Sequence, residues 1–108
     1  MKTVELPRLN SYVYVITYVD DMPYCITKDK VYMKNANEFI TEDMISDDVI
    51  SEYRWPLDSD DYGRRWAKTL AEAKEIVNKY IQEEEQYFGK EYQYTITKNR
   101  NDSWNIEY

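Results

Sequence analysis

Apolar residues follow two rhythms along this chain. Between Tyr12 and Val19 they are nearly continuous and mostly β-branched or aromatic; from Leu70 to Phe88 they recur at three- and four-residue steps. The first rhythm predicts a strand, with Val13, Val15 and Val19 on one face and Tyr12, Tyr14, Ile16 and Tyr18 on the other. Apolar groups on both faces make it a central strand. The second rhythm predicts a helix within Lys68–Gly89, in which Leu70, Ala73, Ile76, Val77, Tyr80, Ile81, Tyr87 and Phe88 form the apolar face. Thr69 and Glu72 have the spacing of a capping box at its start, and Gly89 is its stop. Glu75 and Lys79 are spaced for a pair on the polar face. Glu83, Glu84 and Glu85 oppose the helix dipole, either as a solvated acidic turn or as a contact for a basic partner.

The other segments are shorter. Asp20–Pro23 reads as a turn into a returning strand at Tyr24–Thr27, Lys28–Lys30 as a polar break, and Val31–Met33 as a further strand. Ala36, Phe39, Ile40 and Met44 share a helical arc, which predicts a short helix from Asn37 to Ile45 capped by Asn37. Val49, Ile50 and Tyr53 fit a helical turn capped by Ser46, while Val49, Ser51, Tyr53 and Trp55 fit a strand equally well. Pro56 ends that element, and Leu57–Arg65 reads as a loop. After Gly89, alternation of Tyr92, Tyr94 and Ile96, then of Trp104, Ile106 and Tyr108, predicts a hairpin joined through Asn99–Asp102, wet on one face and covered on the other by the helix. The fold class is therefore α+β: a small antiparallel sheet of four to five strands against one long helix, with a short acidic helical or irregular insertion.

Composition narrows the chemistry. At 108 residues the chain is one domain. With 43% hydrophobic and 32% charged residues and two glycines, it is a globular protein rather than a disordered one. The run Tyr12–Val19 is too short to span a bilayer. Met1–Asn10, with Glu5 and Pro7 and no apolar core, is not expected to be a signal peptide. Cys25 is the single cysteine, so no internal disulfide can form and a reducing cytoplasm is the simplest compartment. The absence of histidine excludes Ser–His and Cys–His nucleophiles and histidine-ligated metal sites within one chain. Two glycines, Gly63 and Gly89, cannot build a glycine-rich phosphate loop. The expectation is a protein that is not an enzyme and carries no cofactor.

Charge is concentrated. Residues 38–61 hold nine acids and one base, a net of −8, against −7 for the whole chain. Such self-repulsion opposes compactness. Either it only solubilises a loop, or it complements a basic partner as a row of carboxylates that imitates the phosphates of DNA. The candidate partner-binding residues are Glu42, Asp43, Asp47, Asp48, Glu52, Tyr53, Asp58, Asp60, Asp61 and Tyr62. Arg64, Arg65 and Lys68 are too few for direct nucleic-acid binding and are expected to pair with nearby acids. Asp58–Gly63 begins like a calcium loop but has Tyr62 at position five and Thr69 at position twelve, where ligands are needed, so no metal is expected. Adjacent acids in polar stretches also lack the desolvated, spaced geometry of a glycosidase. Twelve tyrosines remain, and those of Tyr12–Tyr18 offer a face for self-association into a homodimer if the helix covers the valine face.

Short, acidic, tyrosine-rich and carrying a capped Thr69–Phe88 helix between strand pairs, the chain resembles the small anti-defence proteins of phages and mobile elements, the anti-restriction and anti-CRISPR inhibitors. The resemblance implies a non-enzymatic inhibitor in the host cytoplasm that occupies the nucleic-acid-binding site of a host defence nuclease, with no membrane and no direct nucleic-acid contact.

Overall fold

A computed structural model describes residues 5–42, 45–46, 49–50, 56–99 and 102–108. The elements run β1 (Tyr12–Val19), β2 (Met22–Lys34), β3 (Glu38–Thr41), β4 (Ile45–Ser46), β5 (Val49–Ile50), β6 (Leu57–Asp58), a 3-10 turn (Ser59–Asp61), β7 (Trp66–Ala67), α1 (Leu70–Phe88), β8 (Thr95–Lys98) and β9 (Ser103–Glu107). This is the expected α+β class. The sheet is larger than the expected four to five strands: seven strands form it, all pairing antiparallel, with β4 and β5 as a separate pair.

The long strand β2 organises the sheet. One edge pairs with β1 from Tyr12↔Lys30 to Val19↔Met22. Its other edge is divided, with Cys25–Thr27 against β9 and Val31–Lys34 against β3. The expected polar break at Lys28–Lys30 does not occur. Asp29 is buried on the inner side of the strand, where its carboxylate accepts the Thr41 hydroxyl (3.3 Å), and Lys28 places its ammonium 4.9 Å from the centre of the Tyr12 ring on the other. Those contacts let charged residues continue a strand. The first turn is also tighter than the sequence suggests: Asp20 and Asp21 both take positive φ (52° and 63°), as a two-residue hairpin turn requires, so Met22 and Pro23 already belong to β2.

The helix expected at Asn37–Ile45 is instead strand β3, with residues beyond Glu42 partly outside the described set. Its cause is a turn and a burial pattern. The Asn35 side chain accepts from the backbone N–H of Asn37 (2.8 Å) and Glu38 (2.9 Å), reversing the chain so that Phe39 and Thr41 point inward while Glu38 and Ile40 alternate with them. Packing against β2 outweighs the weak helical arc. Further on, β4 pairs with β5, Ile45 opposite Ile50, so the strand alternative holds at Val49–Ile50, while Ser51, Tyr53 and Trp55 lie outside the described residues. Part of the expected loop at Leu57–Arg65 is ordered as β6 and the 3-10 turn.

Two cores lie on opposite faces of the sheet. Beneath α1, Ala73, Val77 and Ile81 pack on Ile16, Ile26, Trp104 and Ile106, joined by Tyr14 and Tyr18. On the other face Val13, Val31, Phe39, Leu57 and Trp66 form a second cluster, closed by β3, β6 and the chain leading to β7. The condition for the tyrosine face to be free is therefore not met: α1 covers Tyr14 and Tyr18, and the valine face is filled by Trp66 and its neighbours. Both clusters are needed to explain why β1 is apolar on both sides. The expected hairpin forms as β8–β9, with Ile96, Trp104 and Ile106 toward the helix and Thr95 and Thr97 exposed, but it is shorter than the alternation suggests: Tyr92 and Tyr94 precede β8 and Tyr108 follows β9.

Candidate partner-binding surface

The described acids of the 38–61 segment lie along β3, on β6 and in the turn after it. Phe39 opposite Leu57 points into the core, which by strand alternation turns Glu38 and its direct partner Asp58 outward. Two carboxylates facing each other across a ladder are destabilising. Asp58 is partly relieved by a reciprocal cap: its carboxylate accepts the Asp61 N–H, and the Asp61 carboxylate accepts the Asp58 N–H, both at 3.0 Å. Arg65 then reaches Asp61 at 3.2 Å. Those bonds make Asp58 and Asp61 half-buried structural groups, whereas Glu42 and Asp60 are exposed.

Trp66 holds this turn in place. Fully buried, it stacks edge-on against Phe39 (ring centroids 5.2 Å apart) and Tyr62 (4.9 Å), and its indole N–H donates to the Asp58 carbonyl at 2.8 Å. Tyr62 links the turn to the helix by donating its hydroxyl to Glu72 at 2.5 Å. That bond, more than burial, pushes the Tyr62 pKa up to about 12. Glu72 was expected to complete a capping box with Thr69. The structure keeps half of it: Thr69 Oγ1 accepts the Glu72 N–H (3.1 Å), but the Glu72 carboxylate serves Lys68 N–H (3.2 Å) and Tyr62 instead. Gly89 takes the left-handed conformation expected of a helix stop.

A cleft of about 620 Å³ opens between α1 and the Tyr62–Arg64 turn. Tyr18, Ile76 and Tyr80 line it together with Arg64, Lys79 and Glu83. The Tyr18 hydroxyl donates to the Arg64 carbonyl (2.6 Å), and the Tyr80 hydroxyl donates to the Asp21 carbonyl. Burial raises the Tyr18 pKa to about 12 against an opposing pull from Arg64, and raises that of Tyr80 as well. These phenols stay protonated near neutral pH and act as contact surface and hydrogen-bond donors. Among the described residues Arg65 pairs with Asp61 as expected, but Arg64 turns to the cleft and Lys68 lies 5.5 Å from the centre of the Tyr62 ring. Glu75 and Lys79 do not close to an ion pair.

Of the ten residues singled out in the sequence, Asp58, Asp60, Asp61 and Tyr62 share one turn, and Glu42 follows the end of β3. Asp43, Asp47, Asp48, Glu52 and Tyr53 lie outside the described residues. Sequence reasoning did not single out Glu38 as a contact, nor Trp66 and Glu72 as supports. For Glu38 the available signal was the alternation Glu38–Phe39–Ile40–Thr41; for the Tyr62–Glu72 bond, ten residues apart, there was none. No protein-family model, curated protein or solved structure matches the chain.

Proposed function

We propose that this protein is a non-enzymatic inhibitor that binds a basic protein surface, with its acidic segment occupying the nucleic-acid-binding site of a partner enzyme. A host defence nuclease is the partner class that its compositional resemblance implies. The observation that carries this reading is the outward placement of exposed Glu38 directly opposite half-buried Asp58, with exposed Glu42 past the far end of β3 and exposed Asp60 in the turn, in the segment that holds more than the chain's entire net negative charge. A repulsive arrangement held on an ordered edge is suited to complementing a field of opposite sign, where it speeds association and selects the partner. Tyr62 supplies aromatic contact beside it.

The test separates charge from fold. Glu38, Glu42, Asp43, Asp47, Asp48, Glu52 and Asp60 are replaced by Gln or Asn, while Asp58 and Asp61 are left alone because they cap the turn. Purified protein is passed over a lysate of its natural host at low salt. A recovered nucleic-acid-binding enzyme should be displaced by rising salt and by duplex DNA, and lost on neutralisation. Unchanged retention by the neutralised variant, with its circular dichroism intact, would overturn the proposal.

A further inference from the structure

Tyr87 and Phe88 end α1 as the most conspicuous aromatic pair outside either core, 81% and 60% exposed, with rings 4.8 Å apart in an edge-to-face contact. Their exposure has a geometric cause. Ala73, Val77 and Ile81 face the sheet at four-residue steps, and Phe88, seven residues beyond Ile81, lies on that same core-facing stripe. The sheet does not reach it. Around the pair acids outnumber bases: Glu83 and Glu84 lie one turn below Tyr87 and Phe88 and Glu91 follows, against Lys90 alone, and the helix ends with no basic residue in its last turn. Lys90, the nearest cation in sequence, has its ammonium 5.4 Å from the centre of the Tyr92 ring. Glu83 and Glu84 of the acidic triplet, with Glu91, are thus the collar of an exposed aromatic knob, while the Glu85 carboxylate accepts the Tyr92 N–H at 3.2 Å.

We infer that Tyr87 and Phe88 dock into an apolar pocket with a basic rim on a partner protein. A central aromatic anchor ringed by groups of complementary charge is how protein interfaces concentrate their binding energy. Charge selects this occupant over others. A second copy would bring like-charged collars together, and an anionic bilayer would repel them. The knob lies about 24 Å along the helix from Glu72, where the Tyr62 turn attaches, so it is a second contact, beyond the acidic edge and independent of it.

The experiment places a photo-reactive residue in the full chain, Phe88→p-benzoylphenylalanine, with exposed Lys74→p-benzoylphenylalanine as control, and irradiates each in a lysate of the natural host. The expected adduct maps to a partner peptide whose apolar residues are flanked by Lys or Arg. Its yield should fall at least fivefold with Glu83→Gln, Glu84→Gln and Glu91→Gln combined, and with Tyr87→Ser introduced alongside the probe. Adducts only with a second copy, adducts with a pocket lacking basic residues, a yield indifferent to the charge change, or none above the Lys74 control would each overturn the inference. The same probe at Tyr62 distinguishes the two proposals: an adduct there without one at Phe88 sinks the knob alone. An adduct at Phe88 that survives neutralisation of the acidic segment leaves the knob standing without it.

Discussion

Replacing Trp66 by Phe tests whether the acidic turn is held by a buried clamp. The substitution keeps an aromatic ring between Phe39 and Tyr62 but removes the indole N–H that donates to the Asp58 carbonyl at 2.8 Å. Leaving that carbonyl without a partner costs about 1–3 kcal/mol. The smaller ring gives up roughly 40 Å² of buried apolar surface, about 1 kcal/mol more at ~25 cal/mol per Å². The sum, about 2–4 kcal/mol, is a large share of the roughly 5–15 kcal/mol that holds a domain of this size together. Urea unfolding followed by circular dichroism should show the midpoint falling by about 1–2 M with an unchanged slope, taking a slope of ~2 kcal/mol per M. Partner binding should weaken too, although no carboxylate has been altered. A loss below about 0.5 kcal/mol, or binding indifferent to Trp66→Phe, would refute the view that this side chain positions the turn.

The two aspartates of the turn should separate: Asp61→Asn loses the Arg65 pair and weakens the reciprocal cap, for about 1–2 kcal/mol by thermal unfolding, whereas exposed Asp60→Asn should stay within about 0.5 kcal/mol. Thr69→Ala should cost about 1 kcal/mol and Thr69→Ser much less, because a hydroxyl alone can accept the Glu72 N–H; equal effects of both would rule out the cap. Tyr18, Tyr62 and Tyr108 are raised from 10 to about 12, so the folded state favours their neutral forms: the stability they add is complete below pH 10 and is lost as pH rises through about 12. An absorbance titration at 295 nm should show these three ionising late, together with unfolding, and Tyr62→Phe should remove one of them; ionisation of all twelve tyrosines below pH 11 would contradict the structure.

What could be read from the residues depended on how local the deciding interaction was. Helix α1 was legible because its cap, its apolar stripe and Gly89 all lie within one segment, and the β8–β9 hairpin because its alternation and turn are contiguous. The segment at Glu38–Thr41 was misread because its helical arc is a local pattern, while the pairing of Phe39 and Thr41 with β2 is not. Lys28–Lys30 was misread for the same reason: Thr41, a hydrogen-bond partner of buried Asp29, is twelve residues away. The acids of the candidate surface were visible as composition, but composition could not tell exposed Asp60 from Asp58 and Asp61, which are spent on each other's backbone.

By itself, then, the sequence determined the α+β class, the central strand, the position and ends of the helix, and the single acidic segment, because propensity, periodicity, capping and charge are properties of neighbouring residues. Only the tertiary structure decided which face of β1 the helix covers, that β2 runs unbroken between two partners, that Glu38 faces Asp58 across the sheet, and that Phe88 overhangs the sheet. Each of those depends on where a second element ends up in space, and the free energy that places it comes from burial shared between segments far apart in the chain.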